Sequence, residues 1–101
     1  MLLPDNYQCV KDANGDRWLY ENVRMLRSVP RGDEPIEEKC RRGPLAGEYV
    51  RPVARFPQTA RIRDIEDVAL YDELSRSPYC PRPEQRKARE WLARRFRECR
   101  A

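Results

Sequence analysis

The sequence predicts an α+β fold in which a small N-terminal β-hairpin or sheet with a long loop packs on a C-terminal antiparallel helical hairpin. An Asn-Gly pair between two aromatic segments is typical of a β-hairpin. Apolar residues at three- and four-residue steps near the C-terminus are typical of a helix. The length of 101 residues fits a single domain, with a β- and loop-rich part over residues 6–56 and a helical part over residues 60–100.

Composition limits the size of the core and the freedom of the loops. Hydrophobic residues make up 40% of the chain and charged residues 38%, so we expect a small core. Nine prolines against four glycines indicate rigid connections. No apolar run approaches the roughly 20 residues of a membrane-spanning helix, so no membrane span is predicted.

The hairpin is predicted from residues 6–10 and 16–20, which flank Asn14-Gly15. Both turn residues tolerate positive φ, so we expect a tight turn. The pattern allows the second strand to continue as far as Leu26.

Prolines and glycines dominate residues 28–47, where we expect a loop with one short helix over residues 36–40. So long a loop needs a fixing contact in a compact domain, and Cys40 is the candidate. The following segment, residues 48–56, is partly alternating and contains Pro52, which predicts an edge strand or an extended segment.

Two helices are predicted in the C-terminal half, over residues 63–75 and 83–100, joined by a linker with three prolines. The first is acidic and the second basic, which favours an antiparallel hairpin with charge-matched faces. One face of the second helix carries Ala88, Trp91, Leu92, Phe96 and Cys99. We expect most of the stability to come from Leu70, Leu74, Trp91 and Phe96, with Trp91→Ala costing roughly 3–5 kcal/mol.

The four cysteines, Cys9, Cys40, Cys80 and Cys99, are dispersed and form no CxxC pair. Structural zinc sites need close ligand pairs, so we predict disulfides in an exported domain rather than a metal site. The alternative is four reduced thiols in a cytoplasmic protein.

Helix geometry restricts how these cysteines can pair. A helix over residues 84–99 is about 24 Å long, and the four linker residues before it reach back only about 14 Å. Because bridged Cα atoms lie within about 7 Å, a Cys80–Cys99 disulfide is excluded. Cys9–Cys80 with Cys40–Cys99, and Cys9–Cys99 with Cys40–Cys80, both remain.

A short pattern occupies the N-terminal third of the chain: Tyr7-x-Cys9, Asp12, Gly15, Tyr20 and Cys40. It resembles a domain of unknown function in short exported proteins of proteobacteria, whose motif runs Tyr-x-Cys, Asp-x-x-Gly, an aromatic strand and Pro-Cys. The resemblance covers residues 6–40 only, and Lys39 stands in place of the proline. It implies a small envelope-facing β-hairpin domain with its two cysteines bridged, a pairing that leaves Cys80 and Cys99 without partners.

Nothing in the sequence indicates catalysis. There is no histidine, so a serine or cysteine nucleophile would lack its usual base. The carboxylate pairs Glu37-Glu38 and Asp72-Glu73 are adjacent in sequence and face apart on a helix, so we interpret them as solvated surface. We therefore predict a non-enzymatic protein without cofactor or metal.

The predicted interaction surface is the arginine-rich side of the last helix, made of Arg86, Arg89, Arg94, Arg95, Arg97 and Arg100. Arginine forks pair with carboxylates and phosphates. We predict an exported protein-interaction module, periplasmic or secreted, that binds an acidic protein surface. The alternative is a cytoplasmic, phage-type protein that binds nucleic acid, or acts as an inhibitor, through the same helix.

Overall fold

The computed structural model describes residues 1–22 and 39–99, with side-chain detail as far as Phe96. In chain order these residues form strands β1 (Tyr7–Lys11), β2 (Arg17–Asn22) and β3 (Val50–Phe56), then helices α1 (Ile62–Arg76) and α2 (Arg82–Cys99). The strands make one antiparallel sheet in the order β1-β2-β3. A sheet followed by two helices confirms the predicted α+β class.

The chain divides into two compact units. One comprises Asp5–Ala60 and holds the sheet, and the other comprises the chain from Arg61 together with Met1–Pro4 and holds the helices. Within the part of the chain that the structure describes, no helix is long and apolar enough to cross a membrane.

The predicted hairpin is present, but its turn is wider than a two-residue Asn-Gly turn. The last strand pair joins Lys11 to Arg17, so residues 12–16 all lie in the turn. Gly15 has a φ of 88°, whereas no non-glycine residue in the described ranges has a positive φ. Asn14 therefore does not adopt the left-handed conformation that a tight type I′ turn requires.

The side chain of Asp12 accounts for the wider turn. Its Oδ1 accepts hydrogen bonds from the backbone N–H groups of Asn14 (2.9 Å) and Asp16 (3.0 Å). Its Oδ2 accepts one from the indole N–H of Trp18 at 2.9 Å. Arg55 closes the cluster, since its Nη2 lies 2.6 Å from an Asp16 oxygen and its guanidinium carbon 5.4 Å from the Trp18 ring centre. An aspartate side chain stabilises a turn in this way because it accepts hydrogen bonds from backbone N–H groups that have no partner on a neighbouring strand.

Strand β3 lies at the edge of the sheet, as predicted, and pairs with β2. Leu19 is opposite Ala54 while Tyr20 is opposite Pro52, so Val53 is an extra residue that forms a β-bulge. A proline donates no hydrogen bond to a ladder, and edge strands and bulges are the positions where sheets tolerate it.

Residues 40–49, which precede β3, fold over one face of the sheet. Buried Tyr20, Cys40 and Val50 form a cluster there, with Val10, Trp18 and Leu45 packed against it. The N–H of Cys40 donates to the carbonyl of Glu48, and the N–H of Gly47 donates to that of Cys40, both at 2.8 Å. Cys40 thus holds its end of the loop through burial and backbone hydrogen bonds.

Two predictions for the central loop fall partly or wholly outside the described residues. The continuation of β2 as far as Leu26 lies outside them, as do residues 36–38 of the expected short helix. Lys39 and Cys40 are not helical, and a 3-10 turn occurs later, at Gly43–Leu45.

Helices α1 and α2 form the antiparallel hairpin that the sequence predicts. Asp64, near the start of α1, lies 2.6 Å from the guanidinium of Arg95, near the end of α2. Midway along, the rings of Tyr71 and Trp91 stack with centres 4.2 Å apart. The predicted helical hairpin is therefore confirmed, and one acidic residue of α1 meets one basic residue of α2.

The residues that stabilise this hairpin differ in part from those predicted. Its buried apolar residues are Ile65, Val68, Ala69, Ala88 and Leu92. Leu70 was expected in the core, but 46% of its surface is exposed, so that prediction was wrong. Trp91 and Phe96 lie on the predicted face but are only half-buried.

Candidate partner-binding surface

The outer side of α2 is basic and open to solvent. Ala88 and Leu92 are buried and define the inner side of the helix. Arg86, Arg89 and Arg94, which the sequence placed on the interaction surface, are all exposed. The helical repeat separates the two sides, because residues three and four positions apart share a face.

Arg95 does not belong with these exposed arginines. Its guanidinium lies 2.6 Å from an Asp64 carboxylate oxygen and 5.9 Å from the centre of the Trp91 ring. About a third of the Arg95 side chain remains exposed, as does about a third of the Asp64 side chain. Arg95 therefore holds the two helices together and offers little to a partner.

Arg89 combines both roles. It is exposed, yet its Nη2 donates a hydrogen bond to the carbonyl of Ser75 on α1 at 3.3 Å. A guanidinium carries five N–H donors, so this single long contact leaves other donors available to a partner. Of the remaining predicted residues, Arg97 lies in α2 beyond the side-chain detail, and Arg100 lies outside the described residues.

Two residues of this region were missed by the sequence prediction. Arg82 is the first residue of α2 and is exposed, one helical turn before Arg86. Tyr79 lies in the turn between the helices with 94% of its surface exposed. The linker motif Ser-Pro-Tyr-Cys-Pro contained the available signal, because a tyrosine between two prolines has no periodic pattern that would assign it to a core.

Acidic side chains also occur at exposed positions of α2. Glu84 and Glu90 are exposed, and Glu84 lies 3.9 Å from the ammonium group of Lys87. The surface is therefore a mixed pattern with an excess of positive charge rather than a continuous cationic strip. Exposed pairs of this kind contribute at most about 1 kcal/mol to stability.

Three of the four cysteines are free thiols in the structure: Cys9, Cys40 and Cys80. Both predicted sets of disulfides require these three cysteines to be bridged, so neither set is formed. The structure gives no side-chain detail for Cys99. The buried thiol of Cys40 donates to the carbonyl of Arg42 at 3.3 Å. Burial raises the pKa of the Cys9 thiol, an effect that Arg17 partly offsets.

Of the two carboxylate pairs named in the sequence, the structure describes Asp72-Glu73. Asp72, which was expected to be solvated, is in fact buried, with only 6% of its surface exposed, and Glu73 is half-buried. Asp72 lies on the inner stripe of α1 with Val68 and Ser75, so helical periodicity places it there. Glu37 and Glu38 lie outside the described residues. In residues 1–22 and 39–99 there is no group of three or more side chains that could hold a metal ion.

Comparison of the chain with protein-family models, with curated proteins and with solved structures gave no match.

Proposed function

We propose that this protein is a non-catalytic interaction module that binds an acidic protein surface through the outer side of α2. The observation that carries the proposal is that one arginine of this helix is paired with α1 while others are exposed to solvent. Arg95 is engaged with Asp64 inside the hairpin, whereas Arg86 and Arg94 are exposed. Together with Arg89 they form a surface that we call the basic face.

The basic face suits recognition of carboxylates for two physical reasons. A guanidinium binds a carboxylate with two parallel hydrogen bonds, and arginine is enriched in protein interfaces. The helix that carries it is also held rigid by packing, through the stacked rings of Tyr71 and Trp91 and the Asp64–Arg95 pair. A rigid surface loses little conformational entropy when a partner binds.

Export and disulfide formation complete the proposal. They rest on an even number of dispersed cysteines and the absence of CxxC pairs in the sequence. Since three of the thiols are free in the structure, the paired state stays a prediction for protein that has passed through an oxidising compartment.

Binding to fluorescently labelled poly-L-glutamate, measured by anisotropy at several salt concentrations, tests the basic face. We expect salt-sensitive binding, and a loss of about tenfold or more in the variant with Arg86→Gln and Arg94→Gln. The matched control is Arg61→Gln with Arg63→Gln, which removes the same charge from two exposed positions at the start of α1. Equal losses in both variants would show that only net charge matters, and the proposal would fail.

A second candidate function is binding of nucleic acid by a cytoplasmic, phage-type protein, which the same exposed arginines favour. Against it, Glu90 is exposed and lies four residues from both Arg86 and Arg94. A continuous phosphate backbone would place negative charge opposite this carboxylate, whereas a protein surface can place a neutral or basic side chain there. Labelled single-stranded and duplex oligonucleotides, used in the same assay, decide between the two candidates. Nucleic-acid binding would be favoured if an oligonucleotide bound more tightly than poly-L-glutamate and if its affinity fell steeply with salt.

A further inference from the structure

We infer that Tyr79 is the aromatic anchor of this interface, a ring that enters an apolar pocket on the acidic partner while Arg82 and Arg86 bind carboxylates beside that pocket. The inference rests on the proposed function and names the chemistry of its partner. Tyr79 is the one aromatic residue in the described ranges that lies mostly in solvent, at 94% exposure. A single exposed apolar residue is ordinary on a protein surface. The support therefore comes from how its turn is built and from its neighbours.

The turn that carries Tyr79 is rigid. Pro78 and Pro81 fix φ on either side of it. The N–H of Tyr79 donates to Ser77 Oγ at 3.2 Å, and the N–H of Cys80 donates to the Ser77 carbonyl at 3.3 Å.

Helix α2 secures the same turn from its other end. The side-chain amide of Gln85 donates to the Ser77 carbonyl at 2.5 Å, and the N–H of Gln85 donates to the Pro81 carbonyl at 3.0 Å. Two helices therefore hold the backbone of the turn, while its aromatic side chain points away from any packing. Preorganisation of this kind reduces the entropy lost on binding.

The neighbours of Tyr79 complete a small surface of mixed chemistry. Arg82 and Arg86 are exposed and stand four residues apart, so they lie on one side of the first turns of α2. Arg82 begins that helix only three residues after Tyr79. Tyrosine and arginine are the residue types most enriched among those that dominate binding energy at protein interfaces.

The same surface fits a protein better than a nucleic acid. Proteins that bind single strands stack successive bases on several aromatic rings, whereas among the residues that the structure describes Tyr79 alone is mostly exposed. Glu90 is exposed and stands four residues after Arg86, so a carboxylate lies on the same side of α2 as that arginine. A partner with interspersed charges accommodates that carboxylate, and a phosphate backbone does not.

The test compares two acidic probes, poly-L-glutamate and a glutamate–tyrosine copolymer of equal length, by anisotropy. We expect the native protein to prefer the copolymer by roughly two- to tenfold, the range of one aromatic pair. Tyr79→Ser should abolish that preference, and Tyr79→Phe should retain it. Arg82→Gln should weaken the binding of both probes.

Leu70→Ser is the matched control, because Leu70 is an exposed apolar residue of α1 away from the turn. It should keep the copolymer preference, and thermal melts should show that all variants fold. If Tyr79→Ser still prefers the copolymer, and replacing Arg86 still weakens the binding of both probes, Tyr79 is not the anchor. The proposed binding by the basic face is then retained. If neither probe depends on Arg86, the proposed function itself fails. If Tyr79→Ser instead weakens oligothymidine binding, the ring stacks on bases and the inference is overturned.

Discussion

Gly43 lies beneath the stacked rings of Trp18 and Tyr20 in a backbone conformation that L side chains rarely adopt. Its φ is 74°, and a Cβ built on it would lie 2.3 Å from Tyr20 Oη and 2.7 Å from Trp18 Cδ2. Tyr20 is fully buried and its hydroxyl donates to the Arg42 carbonyl at 2.8 Å, so the ring has little freedom to move aside. Glycine is thus required here by both packing and backbone.

Gly43→Ala should therefore be strongly destabilising. We expect overpacking to cost about 1–3 kcal/mol, with about 1 kcal/mol more for the positive φ. Gly47 separates the two effects, since its φ is 96° but nothing lies within 4 Å of its Cβ position. Gly47→Ala should cost only the φ term, about 1 kcal/mol. Urea unfolding of both variants gives the comparison, and equal losses would contradict the packing of this loop on the sheet.

Asp12 supplies a second residue-scale prediction, on pH. The hydrogen bond from the Trp18 indole is the main cause that holds the pKa of Asp12 below its ordinary value, and the turn N–H groups contribute. A carboxylate whose pKa is depressed by folding stabilises the protein above its unfolded pKa. That contribution is lost as the pH falls through the folded pKa.

Asp12→Asn keeps a side-chain oxygen acceptor and removes the charge. The native protein should be the more stable of the two at neutral pH, and the difference in unfolding free energy should shrink below about pH 4, where unfolded aspartate titrates. Urea unfolding across this pH range measures it. A difference that stays constant down to about pH 2.5 would mean that the charge of Asp12 contributes nothing.

Within the helical hairpin, one aromatic contact connects the two elements near their centres. The rings of Tyr71 and Trp91 are stacked with a 20° angle between their planes, and both residues are half-buried. The cost of roughly 3–5 kcal/mol for Trp91→Ala applies to a tryptophan that is fully buried. The partial exposure of Trp91 lowers the expected cost of Trp91→Ala to about 2 kcal/mol.

A double-mutant cycle isolates the contact between the helices. Tyr71→Ala and Trp91→Ala should each destabilise, and the double variant should lose less than the sum of the two by about 0.5–1.5 kcal/mol. The control cycle pairs Trp91→Ala with Gly43→Ala, which alters the other compact unit and should be additive. Additivity in both cycles would show that the ring stack is energetically unimportant.

At the scale of the whole chain, the reactivity of the cysteines measures how well each of the two compact units protects its thiols, since Cys9 and Cys40 lie in one unit and Cys80 in the other. Cys40 is buried in the sheet cluster, Cys80 is half-buried in the helical turn, and the raised pKa of Cys9 lowers its thiolate fraction. The thiolate is the form that reacts with alkylating reagents, so exposure and pKa together set the order of labelling.

Reduced native protein should therefore be labelled by iodoacetamide at Cys80 before Cys9 and Cys40, as read by peptide mass spectrometry. Labelling in denaturant is the control, and there the three sites should react at similar rates. Rapid labelling of Cys40 in the native state would contradict its burial. A parallel sample expressed in an oxidising compartment, labelled without reductant, tests the predicted disulfides, which leave no thiol to react.

Local patterns in the sequence determined the elements of this protein. Asn14-Gly15 between aromatic segments identified the hairpin, and Pro52 identified an edge strand. The helical hairpin was identified by the spacing of apolar residues and by the change from an acidic to a basic segment. These features depend on neighbours within a few residues, so a linear pattern records them. The basic side of α2 was predictable for the same reason, and Arg86, Arg89 and Arg94 are exposed as expected.

Tertiary structure alone decided which side chains are committed to the fold and which remain available. Arg95 and Arg94 are adjacent and chemically identical, yet only Arg95 meets a carboxylate of α1, because helix packing brings Asp64 to it. Asp72 is buried although the sequence predicts a solvated carboxylate, and Tyr79 is exposed although the sequence predicts no role for it. The helical repeat places Asp72 and Arg95 on the inner sides of their helices. Which groups they meet there depends on contacts between residues distant in sequence, and no local pattern encodes those contacts.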